Sequence, residues 1–240
     1  MTDSVYVPEL AVEPDLTQPV LRHSLMTRIT HWVFALSFFW LMLSGFAILL
    51  AHPHFYWGET GGRGTPPLFN LPLPTKLDGP SGWGRSLHFQ AAWLSLITGA
   101  VYVVSGVLSG YFRRDLLPSW REMSWSSLRS NIADHLRFRH RDADEPYNVL
   151  QRLSYLSVVF VLFPLAILSG FAMSPAIVSV FPWIVEVFGG QQTARTVHFF
   201  LANLLLLFLV VHVLMVSMAG FSRRIRAMIL GEPSARKEHG

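Results

Sequence analysis

The chain has 240 residues, of which 51% are hydrophobic, 13% aromatic and 14% charged, with a mean hydropathy of +0.38; soluble globular domains carry roughly 25% charged residues. That balance excludes a soluble domain with one ordinary core and reads as an integral membrane protein. The absence of cysteine removes disulfides, iron–sulfur clusters, thiolate zinc sites and covalent c-type haem attachment, and the net charge of +4 does not indicate nucleic acid, because the arginines gather beside apolar runs.

Residues 1–22 are polar, include Asp3, Glu9, Glu13 and Asp15, and lack the basic start and short apolar core of a secretory signal. They are read as a mobile cytoplasmic tail. The first apolar run, residues 29–51, is long enough to cross a hydrocarbon core of about 30 Å, and His31 stands near its start. Residues 52–86 concentrate Gly and Pro without apolar periodicity and are read as an irregular loop with aromatic interfacial anchors. His52 and His54 within it are read as polar surface residues rather than metal ligands. The second run, residues 87–112, opens on His88 and contains Gly99, Gly106 and Gly110, where a backbone can approach another helix or a flat ligand.

Residues 113–152 carry eight arginines, and Trp125, Leu128, Ile132 and Leu136 recur among them at helical spacing. This predicts a short amphipathic helix on the membrane surface. The third run, residues 153–173, contains Pro164 and is expected to kink there. The stretch AIVSVFPWIVEVFGG is broken by Pro182 and Glu186 and is read as interfacial, not as a fifth span. The fourth run, residues 197–221, is followed directly by SRRIR, and residues 229–240 are read as a second cytoplasmic tail. The expected fold is an all-α integral membrane protein, a four-transmembrane-helix bundle occupying residues 23–228, with short surface helices in its loops.

The N-terminal tail, the second loop and the C-terminal tail hold 15 of the 19 Lys and Arg residues. The positive-inside rule then places both termini and the second loop in the cytoplasm. His31 falls near the cytoplasmic start of span one, and His88 and His198 near the outward-facing starts of spans two and four. His212 falls toward the cytoplasmic half of span four. His198 and His212 are 14 residues apart, which returns the second to within about 40° of the first, about 21 Å further along one helix face. Four costly intramembrane histidines therefore sort by depth into two pairs, His88 with His198 and His31 with His212, and such a cluster marks a functional site. One mismatch stands: His31 is three residues from Arg28, whereas His212 is eleven from Arg223.

Arginine precedes three of the histidines at i−3: Arg28–His31, Arg85–His88 and Arg195–His198. Each pair shares a helix face with the arginine one turn nearer the headgroups. Two stacked haems would take the imidazoles as iron ligands and the guanidinium groups as propionate partners. Gly45, 14 residues after His31, and Gly99, 11 after His88, would leave room for a macrocycle. A transporter using the histidines as a metal pathway is the competing class, but it needs ligands converging at one depth, and the spans contain no Asp or Glu.

His31 opening the first span, His88 opening the second and His198-x13-His212 in the fourth resemble the bacterial di-haem cytochrome b subunits of Ni/Fe-hydrogenases, formate dehydrogenases and thiosulfate-reductase-like complexes. The resemblance covers residues 22–228 and implies two b-type haems with bis-histidine iron ligation by His88/His198 and His31/His212. It also implies a subunit passing electrons between a periplasmic catalytic redox subunit and the quinone pool, with the quinone near the cytoplasmic haem. The PYNVLQR stretch resembles the Tyr-Asn-x-x-Gln segment of the formate dehydrogenase cytochromes, making Asn148 and Gln151 the quinone-binding candidates; helix capping by Asn148 explains it equally. Electrons would enter at His88/His198 and leave through His31/His212, the flow reversing if the partner is a terminal reductase.

Overall fold

A computed structural model describes residues 24–61, 64–73, 82–118, 149–218 and 220–231. Among them are four helices long and apolar enough to cross a membrane. The first, α1 (Leu25–Ala51), starts where the Ser24 hydroxyl accepts the Thr27 amide N–H at 3.1 Å, satisfying a donor that the first turn leaves open. It stops where the His52 amide closes on Ile48 and Pro53 cannot continue the ladder. The second, α2, spans Gly82–Leu108.

The third span is composite: α3 (Val149–Ser157), a π-helical turn (Val158–Leu162) and α4 (Phe163–Ala172). Pro164 offers no N–H and its ring crowds the carbonyl one turn back. The helix accommodates it by widening just before the proline, which turns the expected kink into a π-bulge. The interfacial stretch forms two short helices, α5 (Pro175–Val178) and α6 (Trp183–Val187).

Then come α7 (Gln191–Met218) and α8 (Phe221–Leu230). The fourth apolar run, expected to continue to Phe221, instead ends at Met218. Gly220 has φ of +96°, a left-handed conformation that costs other L-residues about 1–2 kcal/mol, and it turns the chain into a separate helix. The membrane helices α1, α2 and α7 begin four to six residues before their apolar runs, because hydropathy marks the hydrocarbon core while the first polar turns lie outside it.

Close backbone packing joins α1 to α2 and α4 to α7, so the bundle has two layers. Within the first layer the buried hydroxyls of Ser37 and Ser95 lie 2.7 Å apart, and Gly84 sits against Ala47; small residues permit this approach where lipid gives no hydrophobic drive to association. Between the layers, at mid-depth, Phe38, Val158 and Leu205 form a buried core rimmed by Phe34, Leu162, Phe163 and Phe208. Phe34 and Phe163 meet edge-on with centroids 4.6 Å apart. This aromatic partition separates two ends of the bundle: the basic end, where α1 begins and α7 finishes, and the loop end.

At the loop end the first loop is not wholly irregular. β1 (His54–Phe55) pairs antiparallel with β2 (Phe69–Asn70), placing Phe55 opposite Phe69. Strands of two residues are too short to produce the alternation by which strands are recognised. Phe55, 2% exposed, stacks on Phe69 at 4.8 Å and meets Phe199 at 4.5 Å. Thr196 donates its hydroxyl proton to the Tyr56 carbonyl, and the Gly58 N–H donates to the Thr193 hydroxyl, each at 2.7 Å. These contacts seat the loop on the first turns of α7. The surface helix expected around Trp125–Leu136 lies outside the described residues.

Candidate functional site

Two imidazole pairs bridge the layers. At the loop end, His88 of α2 faces His198 of α7 with ring centroids 6.1 Å apart and an interplanar angle of 69°. At the basic end, His31 of α1 faces His212 of α7 at 6.4 Å and 50°. The depth mismatch between His31 and His212 disappears because α1 begins at Leu25 and α7 ends at Met218, which sets each histidine six residues from its helix end. An imidazole nitrogen lies about 2.0–2.1 Å from a bound metal and its ring centroid about 1.1 Å further back, so two rings ligating one metal from opposite sides stand about 6.3 Å apart. Both pairs fit that separation. Among the described residues no group of three or more His, Asp or Glu side chains is placed to hold a metal; each pair offers two imidazoles.

The loop-end rings are held by hydrogen bonds. Ser44 donates to the Trp40 carbonyl at 2.6 Å, so its oxygen accepts the His88 Nδ1–H at 3.0 Å. The His198 Nδ1 lies 3.0 Å from both the Ser169 hydroxyl and the Ala166 carbonyl. A carbonyl only accepts, so the proton is assigned to Nδ1. In both rings Nε2 then keeps its lone pair for a metal, and the outer hydrogen bond fixes the tautomer and the ring plane. Ser44 and Ser169 are both 0% exposed. The residue after each serine is glycine: a Cβ added at Gly45 would lie 3.5 Å from His88 Cε1, and one at Gly170 would lie 3.6 Å from His198 Cε1.

Neither serine nor Gly170 stands out by its spacing from a histidine, although the pentapeptide that holds them occurs twice in the chain. Leu43-Ser44-Gly45-Phe46-Ala47 in α1 recurs as Leu168-Ser169-Gly170-Phe171-Ala172 in α4. Gly45 stands at the loop-end pair, and at Gly99 an added Cβ would meet nothing within 4 Å.

Aromatic rings surround the basic-end pair. Trp32 meets His31 edge-on at 5.2 Å, and Phe208 stacks on His212 at 5.9 Å and 20°. Tyr155 approaches His212 at 6.4 Å, and its phenol oxygen accepts from Gln151 Nε2 at 3.1 Å. Gln151 is thereby linked through Tyr155 to His212. Its companion candidate Asn148 lies outside the described residues.

The three arginines differ. Arg28 donates through Nη1 to the Ile229 carbonyl at 3.1 Å, and beside it Trp32 Nε1 donates to the Met228 carbonyl at 3.2 Å. The two side chains cap the C-terminal carbonyls of α8 and fold that helix back over the start of α1. Arg28 Nε is buried with no hydrogen-bond partner among the described residues, a donor that a carboxylate would satisfy. Arg195 donates through Nη2 to the His52 carbonyl and lies over the Phe55 ring at 5.1 Å; Arg85 is exposed. His52, His54, Tyr56, Gln192 and Arg195 line a cavity of roughly 470 Å³ outside this pair. Desolvation, then the charges of Arg195 and Arg85, hold the His52 imidazole below its ordinary pKa. His54 Nδ1 is 2.6 Å from Asn70 Oδ1 across the strand pair.

Comparison with known proteins gives two matches. The sequence model of the prokaryotic cytochrome b561 family matches residues 22–231. The putative protein-methionine-sulfoxide reductase subunit YedZ1 of Azospira oryzae is 32% identical over 214 residues, covering 87% of this chain and 96% of the relative. No solved structure matches the chain.

Proposed function

The chain belongs to the prokaryotic cytochrome b561 family, and from that membership and its two histidine pairs we propose that it carries two b-type haems, relaying electrons between the quinone pool and a catalytic redox subunit. Membership makes it a membrane haem-binding electron-transfer subunit of a bacterium. The number of haems, the quinone and the partner are the proposal.

The observation that carries it is the fit of both cross-layer imidazole pairs, at 6.1 and 6.4 Å, to ligation of one iron each. Held by two imidazoles, each haem would supply one-electron transfer rather than binding of oxygen or substrate. His88 and His198 would hold the loop-end group, with Arg85 and Arg195 at its propionates. His31 and His212 would hold the basic-end group, with the open Nε of Arg28 toward a propionate. Along α7 the two ligands are about 21 Å apart, with Phe38, Phe163 and Leu205 filling the depth between the pairs.

Gln151 and Tyr155 would receive the quinone beside His212, with Asn148 the companion candidate that the sequence names. Quinone chemistry takes two electrons and two protons, and these side chains carry exchangeable protons at the end of the bundle that the arginines assign to the cytoplasm. The catalytic subunit would then meet the opposite, periplasmic end. Because the relative is named as a subunit of a putative methionine-sulfoxide reductase, a reductase partner is favoured over a hydrogenase or formate dehydrogenase. Electrons then run from quinol at His31/His212 toward His88/His198.

The test is a reduced-minus-oxidised visible spectrum of the purified, folded chain with pyridine haemochrome quantitation. Two haems b per chain are expected; folded protein that binds none when haem is supplied overturns the reading.

A further inference from the structure

The loop-end pair involves all four spans, and two of them contribute the same peptide. α2 and α7 bring His88 and His198, while α1 and α4, on opposite layers, each bring Leu-Ser-Gly-Phe-Ala. In each copy the serine oxygen stands 3.0 Å from a histidine Nδ1, and the glycine leaves a space against that ring's Cε1. The carbonyl three residues before each serine also takes part. Ala166 O accepts from His198 at 3.0 Å, and Leu41 O accepts from the Ser44 hydroxyl at 3.2 Å. Two segments 125 residues apart in the chain thus build the same hydrogen-bonding device on the two opposing rings.

We propose that Ser44 and Ser169 are positioning residues that set the reduction potential of the loop-end haem, each acting through the Nδ1–H of the histidine it holds. The inference rests on the two-haem reading and assigns to that same site a means of tuning. An acceptor on Nδ1–H pulls the ring toward imidazolate character and makes Nε2 a stronger donor. A stronger imidazole donor would favour the oxidised form of the iron it holds, so the hydroxyls would hold the potential down. The two serines are unequal in what remains when they are lost. His198 keeps a 3.0 Å bond to Ala166 O, whereas among the described residues His88 Nδ1 has Ser44 as its hydrogen-bond partner, so Ser44 carries the larger effect. Burial of both serines at 0% exposure means that water does not replace either hydroxyl freely. Around His212 the rings of Phe208 and Tyr155 occupy the neighbouring positions.

The experiment is a potentiometric titration of the haem bands in the purified full chain. Wild type is compared with Ser44→Ala, Ser169→Ala and the hydroxyl-retaining Ser44→Thr. The expected result is two resolved haems in wild type, of which one shifts to higher potential in Ser44→Ala and by less in Ser169→Ala. The other keeps its wild-type value throughout, and Ser44→Thr returns the shifted haem toward wild type. Haem stoichiometry is measured on every sample. A wild-type chain without two haems overturns the underlying reading. With two haems present, unchanged potentials in both alanine variants overturn this inference alone, as does a Ser44→Thr shift equal to that of Ser44→Ala. If Ser44→Ala loses the loop-end haem, Ser169→Ala, in which His198 keeps its carbonyl bond, supplies the deciding titration.

Discussion

The two histidine pairs share one helix, α7, yet their surroundings differ in kind. At the loop end both Nδ1 atoms are engaged by a buried serine, and that of His198 by a backbone carbonyl as well, which leaves one tautomer and one ring orientation. At the basic end His212 lies among Phe208 and Tyr155, with Gln151 bonded to the tyrosine. A fixed tautomer suits a relay that passes electrons without moving protons. A phenol and an amide beside the other pair suit a partner molecule that must gain or lose protons with its electrons. The facing side chains are imidazoles at both ends, so under the proposed two-haem reading it is the neighbours that divide the work.

The sharpest way to break this comparison is to remove one ligand at a time. His212→Ala should abolish the basic-end haem, cut the haem content of the chain by about half and eliminate reduction by quinol, while the loop-end haem persists. His198→Ala should remove only the other haem and leave quinol able to reduce the one that remains. Haem quantitation combined with quinol-driven reduction checks both, and loss of the loop-end haem alone in His212→Ala would contradict the pairing.

A smaller effect is expected from Tyr155→Phe and Gln151→Ala. Each should slow quinol-driven reduction about tenfold, corresponding to about 1.4 kcal/mol in the barrier, without changing haem content. Stopped-flow reduction measured beside an absorption spectrum separates these two outcomes.

Smaller again is the strap at the basic end. Arg28→Gln removes the bond to Ile229 O that, with Trp32, holds the end of α8, at a cost of about 1.5 kcal/mol. Cleavage after Arg224 or Arg226 by trypsin should become faster in this variant, with Tm lowered by a few degrees. The smallest effect belongs to His52 at the loop end, whose folded-state pKa is depressed. Its neutral form is favoured by folding, so its contribution to stability is present above the unfolded value of about 6.5 and is lost as pH falls through the folded pKa. The thermal stability of the His52→Gln variant should therefore decline slightly less than that of wild type on acidification below pH ~6.5.

Much of the bundle is readable from hydropathy alone. The four long helices coincide in their middles with the four apolar runs, since about twenty apolar residues in sequence have no other use than to cross lipid. Boundaries are harder: the helix starts extend into polar turns, and Gly220 ends α7 within what reads as a continuous run. The pairing of histidines by depth is likewise legible, because rise per residue and charge distribution are local properties that add along a helix. The serines were not, although their pentapeptide occurs twice. A repeated Ser-Gly in a membrane helix reads equally as ordinary small-residue packing until a ring is seen beside it.

By itself, then, the sequence determines which segments are apolar enough to cross a membrane and how far along its helix each histidine lies, since both follow from composition and from a fixed rise per residue. Only the tertiary structure decides that Ser44 meets His88, that Ser169 meets His198, and that Arg28 and Trp32 cap a helix some two hundred residues later. Those contacts join residues on different helices, and their formation depends on how two layers pack across a shared gap, which no periodicity within a single segment encodes.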